Sequence, residues 1–193
     1  MRWIAAFFLL ALLQGTAQAD PATDLVQAAR DQVGRTRIYD PRYEKLAYPM
    51  GDVPILRGVC TDVVIRAFRG VDIDLQQLVH EDMRRNFKAY PQSWGLVRPD
   101  ANIDHRRVPN LAKFFARRGM ALEPGDYRAG DVVTWMLPGN LPHIGIVSDA
   151  VATSGRPLII HNIGAGAAEE DMLTAYPITG HFRWFRGAAA AAK

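Results

Sequence analysis

The chain has 193 residues, a formal net charge of +3, 49% hydrophobic residues and a single cysteine. That length and apolar content suit one ordinary domain with a buried core, and a lone cysteine excludes an internal disulfide. The arginine pairs Arg84-Arg85, Arg106-Arg107 and Arg117-Arg118 are scattered, and no basic run interleaved with aromatics is present, so a nucleic-acid partner is not expected.

At the start of the chain Arg2 precedes an apolar run from Trp3 to Leu13, and Gly15 to Ala19 ends in an A-x-A pattern. This is the layout of a secretory signal peptide over residues 1–19, with cleavage after Ala19. The run is shorter than the roughly 20 apolar residues of a spanning helix. The expectation is an exported, periplasmic protein with no stable membrane span after cleavage. A single domain is expected over residues 20–187, followed by a disordered alanine-rich tail over 188–193.

Thr23 is placed to cap a helix running to about Val33, with Leu25, Val26, Ala29 and Val33 as its apolar face and Gly34 just past its end. Residues 35–57 hold three prolines, a glycine and three tyrosines, and read as a long ordered loop with short strand pieces. From Cys60, Val63, Val64, Ala67 and Phe68 recur at helix spacing until Gly70. Asp74 with Gln77 predicts a capping box and a helix to about Phe87, stopped by Tyr90-Pro91. Residues 94–107 are irregular and polar. Val108 to Arg118 is an amphipathic helix closed by Gly119, and residues 74–118 together form a helical insertion.

After Gly119 the period changes to that of strands. Asp131 to Leu137, Ile144 to Ser148, Leu158 to Ile163 and Ile178 to Phe185 are short and apolar, and the first three are separated by Pro138-Gly139-Asn140 and Ser154-Gly155-Arg156-Pro157 turns. Helices first and strands second predict an α+β fold with an antiparallel sheet.

Cys60 opens the apolar helix. The free N–H groups and partial positive charge of a helix start favour a thiolate and can hold an oxyanion. The competing role is a small buried apolar side chain, common for free cysteine. A thiol nucleophile needs a base. Of His80, His105, His143, His161 and His181, His143 and His161 fall on neighbouring predicted strands. One ring can serve the thiol, while the other, or Asn162, fixes its tautomer. His80 falls inside a helix and reads as structural.

Asn102 to Asn110 carries both charge signs, a histidine and an amide in a predicted loop. Asp104, His105, Arg106 and Arg107 are candidate substrate-binding residues there, since an arginine fork can grip a carboxylate. The alternative is a loop whose acids and arginines pair with each other. Asp62 is a further candidate: it suits a helix start, yet as an anion it opposes a nearby thiolate. His143, His161 and Cys60 lack the close spacing of a zinc site, and Gly164-Ala165-Gly166 lacks the setting of a phosphate loop, so neither metal nor cofactor is expected.

The stretches Gly58-Val59-Cys60-Thr61-Asp62-Val63-Val64, Gly130-Asp131-Val132-Val133, Pro142-His143-Ile144-Gly145-Ile146-Val147 and Ile160-His161-Asn162 resemble the NlpC-type, papain-like cell-wall cysteine peptidases. That resemblance implies N-terminal helices packed on a small antiparallel sheet, with Cys60 as nucleophile, His143 as base and His161 as orienter. Gly58 to Arg66, Leu78 to Met83, Asn102 to Leu111, Leu141 to Asp149 and His161 to Gly166 resemble domain-of-unknown-function family 1287 more closely, over nearly all of the chain after residue 19. There are departures from the NlpC pattern: Val59 precedes and Thr61-Asp62 follows the cysteine, where Asp-Cys-Ser-Gly is usual, and the insertion is long. The implied activity is hydrolysis of an amide bond, with peptidoglycan or another amide-containing envelope polymer as partner. The alternatives are a non-catalytic envelope-binding module on the same scaffold and acyl transfer through the same thiol.

Overall fold

The structure, a computed structural model, describes residues 20–185. The expected signal peptide over 1–19 and the tail over 188–193 lie outside the described residues.

Helix α1 (Pro21–Arg30) starts from Asp20, whose Oδ1 accepts the Ala22 N–H at 3.2 Å. Pro21 suits the first helical position because that N–H has no helical partner to lose. The cap is therefore Asp20 and not Thr23. Leu25, Val26 and Ala29 are buried, but the helix stops at Arg30, so Val33 lies in the following turn and is 40% exposed.

The loop over residues 35–57 contains two strand pieces, β1 (Ile38–Tyr39) paired in parallel with β2 (Arg57–Gly58). Arg66 anchors it by donating to the Asp52 carboxylate, the Val53 and Arg57 carbonyls and the Thr36 hydroxyl. Arg66 belongs to α2 (Cys60–Arg69), which buries Val63, Val64, Ile65, Ala67 and Phe68 and has almost no solvent face. Its polar residues Thr61, Asp62 and Arg66 are buried as well and bonded to neighbouring segments, so this is a core helix covered on all sides. Helix α3 (Leu75–Asn86) is capped by Asp74, which accepts the Gln76 N–H at 3.1 Å. Gln77 bonds Glu81 instead of returning to the cap, so half of the expected capping box is made. Helix α4 (Val108–Arg117) completes the helical layer.

Strands β3 (Val132–Leu137), β4 (Leu141–Val151), β5 (Pro157–Asn162), β6 (Ala167–Glu170) and β7 (Ile178–Phe182) form an antiparallel sheet in the order β6-β5-β4-β3-β7. The fold is α+β, with the helices on one face of a small sheet. Ile144, Ile146 and Ile160 point into the helical layer. Val133, Trp135, Val147 and Ile159 point to the other face, where Met172 and Leu173 cover them and the Leu173 carbonyl accepts the Trp135 indole N–H at 2.9 Å. Covering both faces explains why β3 and β4 read as nearly continuous apolar runs rather than alternating ones. Strand β6 has the sequence Ala-Ala-Glu-Glu, which carries no strand preference; pairing with β5 makes it a strand.

Candidate active site

Cys60 is the first residue of α2, and Val59 before it is extended. Asp62, at the third helical position, accepts the Val59 N–H at 2.7 Å and so closes the helix start from inside. The sulfur sits against the backbone N–H groups of Ile144, Thr61 and Cys60, all of which favour its anion. Burial outweighs them, and the Asp62 charge adds to burial: the thiol is pushed up to about 12. The expectation that the helix start yields a thiolate is therefore corrected. A partial charge of a helix end is worth on the order of 1 kcal/mol, less than the cost of desolvating an anion. In the resting site Cys60 is a neutral thiol.

His143 precedes Ile144 in β4, so it adjoins the backbone that addresses the sulfur. Gly145 stands opposite His161 in the β4–β5 register, and His143 lies two residues away on the same face. Gly145 makes room for the two rings: a Cβ there would fall 3.0 Å from the His161 Cβ and 2.7 Å from Ile159 Cγ2. His143 Nε2 lies 2.9 Å from His161 Nδ1, and His161 Nε2 lies 3.2 Å from Glu170 Oε2. Burial, helped by the neighbouring His161, pushes the His143 value down to about 3. His161 is also lowered by burial, with Glu170 opposing. Two buried neutral imidazoles in a row have one proton order that ends on an anion. His143 Nε2–H donates to His161 Nδ1, and His161 Nε2–H donates to the Glu170 carboxylate. That order leaves His143 Nδ1 unprotonated, as a base requires. Among the described residues no hydrogen bond joins Cys60 to His143; such contacts commonly tighten only when substrate is bound.

Asn162 does not share the orienting role. Its Nδ2 donates to the Gly58 carbonyl at 3.1 Å and its Oδ1 accepts the Gly164 N–H at 3.2 Å, because it points into the helical layer, away from the histidines. It ties the end of β5 to the backbone that leads into Cys60. His80 pairs with Asp104 at 3.0 Å, and His181 pairs with Asp131 at 2.7 Å in a buried cluster with Arg183.

Four of the five candidate binding residues are internal. Arg106 donates Nε and Nη2 to the two oxygens of Asp62, both bonds at 2.9 Å, with side-chain exposures of 2% and 4%. The pair faces inward, and Arg106 also donates to the Arg42 and Asp40 carbonyls. Asp104 is fully buried and accepts from the Asp100 N–H and faces His80. His105 is buried, and burial pushes it down to about 3. The expectation of substrate contact at Asp62, Asp104 and His105 is corrected, since all three are buried away from the cleft, and at Arg106 the guanidinium is taken up by Asp62, as the paired-charge alternative holds; Asp104 Oδ1 and His105 Nδ1 are buried without a hydrogen-bond partner. Arg106 and Arg107 both border the cleft, but the Arg106 guanidinium is held by Asp62 and that of Arg107 forms no salt bridge among the described residues.

That cleft, about 370 Å³, lies over Cys60 between Tyr39, Tyr43, Trp94, Arg107 and Pro142. Tyr39 keeps its proton up to about 12, through burial first and then the charges of Cys60 and Asp62, so its hydroxyl is a neutral donor in the same cleft as Cys60. Sequence reasoning missed Tyr39, Trp94 and Glu170. Trp94, in an irregular polar stretch, was the one legible signal, since an aromatic residue on a polar loop suggests a binding surface. Tyr39 and Glu170 come from segments remote from Cys60 and carry no local mark. Among the described residues no three His, Cys, Asp or Glu side chains gather as a metal set.

A family model described as a domain of unknown function, DUF1287, matches residues 26–184. The uncharacterized protein YijF of Escherichia coli (strain K12) is 56% identical over 172 residues, which cover 87% of this chain and 84% of that protein. Two solved structures, NlpC1 and NlpC2 from Trichomonas vaginalis, are matched over 88% of this chain at 15% and 17% identity, with TM-scores of 0.44 and 0.46. This chain spans 47% and 49% of those two proteins.

Proposed function

We propose a function from one premise: the chain belongs to the DUF1287 family. It is an exported cysteine hydrolase that cuts an amide bond in the stem peptides of peptidoglycan. One observation carries the reading: the series His143–His161–Glu170, buried at both histidines, starts on the strand whose backbone addresses the Cys60 sulfur. The motif resemblance to NlpC-type peptidases at Cys60, His143 and His161 supports the same assignment of roles, and the signal-peptide pattern over 1–19 supports an envelope substrate.

The chemistry follows from the proton order. Substrate enters the cleft over Cys60, and the thiol proton passes to His143 Nδ1 as the sulfur attacks the amide carbon. The imidazolium formed on His143 is stabilised through His161 by Glu170. Backbone N–H groups at the start of α2 and the Tyr39 hydroxyl take the tetrahedral oxyanion. The C–N bond then breaks, and His143 returns the proton to the leaving amine. Water, losing a proton to His143, attacks the thioester; the carboxylic acid leaves and the thiol is restored.

Burial of Cys60 favours a second reading, an envelope-binding module without turnover. Mass spectrometry of purified peptidoglycan fragments, incubated with wild-type protein or Cys60→Ala, separates the two. New pairs of fragments whose masses sum to the parent plus one water, formed by the wild type alone, are the expected result. Identical fragment patterns with both proteins would sink the hydrolase and leave the module; an amine adduct in place of water marks acyl transfer.

A further inference from the structure

Arg106 and Arg107 are adjacent and have opposite fates. Arg106 is consumed by Asp62 and two backbone carbonyls. Arg107 forms no salt bridge among the described residues, and its Nη1 is buried with no hydrogen-bond partner. An unmatched donor on a cation is costly, so Arg107 has hydrogen-bonding capacity that the protein leaves unused, on a residue that lines the cleft. Burial alone weakens the hold of Arg107 on its proton, with Asp104 and Asp100 offsetting this from a distance. The carboxylate of Asp104 faces His80 and Asp100 instead.

The guanidinium is nevertheless held in place. Its carbon lies 4.5 Å from the centre of the Trp94 ring, a stacking contact that fixes the plane of the fork without using its N–H groups. Its backbone is registered to the nucleophile by two bonds from the first turn of α2. The Thr61 hydroxyl donates to the Arg106 carbonyl at 3.2 Å, and Asp62 holds the Arg106 side chain. Residues 106 and 107 therefore cannot move without α2, and Arg107 shares one cleft with Cys60.

We propose that Arg107, braced on Trp94, is the specificity residue for a carboxylate carried by the substrate next to the bond that Cys60 attacks. The proposal rests on the hydrolase reading for the word substrate, and on geometry alone for the anion. A planar fork matches a carboxylate bidentately. Tyr39 and Tyr43 give the rest of the cleft aromatic walls. The substrate class is an acidic amide, one with a free carboxylate within a residue or two of the scissile bond; the amidated counterpart is discriminated against because it brings no charge to the guanidinium.

Cys60 is the sole cysteine, so alkylation reads the cleft directly by mass. Iodoacetate and iodoacetamide differ in one carboxylate. The ratio of their rates at Cys60 in the wild type is expected to exceed that in Arg107→Gln by five-fold or more, with Arg107→Lys in between. Equal ratios in the wild type and a folded Arg107→Gln overturn the proposal. A poorly folded Arg107→Gln leaves Arg107→Lys to decide, since an unchanged ratio there together with an unchanged ratio in Trp94→Ala overturns it too. A sulfur that takes neither reagent overturns the placing of an anion site over an accessible thiol. The ratio is independent of turnover. Discrimination without peptidoglycan cleavage rejects the hydrolase and keeps the anion site; cleavage without discrimination does the reverse.

Discussion

Cys60, His143, His161 and Glu170 have separable weights. His161 is buried against His143 and sets which of its nitrogens carries the proton. Glu170 stands at the far end with its side chain 55% exposed, so water screens it. His161→Ala is therefore expected to lower kcat by about 100-fold or more, the scale of a lost general-base arrangement. Glu170→Gln is expected to lower it only about two- to five-fold, since an exposed ion pair contributes up to about 1 kcal/mol. KM should stay within about two-fold in both, because neither side chain lines the cleft. Steady-state kinetics on peptidoglycan fragments checks the ranking; equal losses would show that Glu170 acts as more than an outer support.

The hairpin of β4 and β5 is the element that brings His143 and His161 together. Its register sets His143 and His161 on one face, and Gly145 gives them the space between. Gly145→Ala needs no unusual backbone, so its effect is steric. The added methyl meets Ile159 and His161 and is expected to cost about 1–3 kcal/mol of stability, as overpacking does. Activity should fall further than that loss of folded protein explains, because the His161 ring is displaced. Urea unfolding alongside activity per folded molecule tests this, and a loss of stability with unchanged specific activity would reject the spacer role. The segment over residues 94–107 joins the site in a parallel way, through the Asp62–Arg106 pair that docks it on α2. Removing one member of a buried pair leaves the other unpaired, which is why that segment and α2 form a single unit.

Two buried histidines shape the pH response of the whole molecule. His105 and His143 each fall to about 3 in the folded state, from the usual 6.5. Between those values the unfolded chain takes up protons that the folded chain refuses, so stability rises with pH there. The contribution is complete above pH 6.5 and is lost progressively as pH falls toward 3. Asp104, raised by burial, runs the other way, but it is one group against three, since burial lowers His161 as well. The urea midpoint is expected to be lower at pH 4.5 than at pH 7, with a smaller drop in His105→Gln. A midpoint unchanged between the two pH values would contradict the burial of both rings.

The α+β order, the boundaries of α2 and the places of Cys60, His143 and His161 were all legible in the sequence. Periodicity reports burial directly, and a helix start or a strand is a local property of a few residues. Strand β6 was not legible, because its pairing with β5 overrides the preferences of its own residues. The fate of the charged loop was not legible either. Asp104, His105, Arg106 and Arg107 are consecutive and look alike as a charged run, yet the first three are buried, with Arg106 spent on Asp62, and Arg107 is left at the cleft without a salt bridge. Which arginine is consumed depends on Asp62, 44 residues away. The choice of His161 over Asn162 as neighbour of His143 likewise follows from the side of the sheet that each faces. By itself the sequence determined a thiol at a helix start and histidines on neighbouring strands. Only the tertiary structure decided which charges cancel and which one is left for a ligand, because pairing is a contact between distant segments and burial sets its strength.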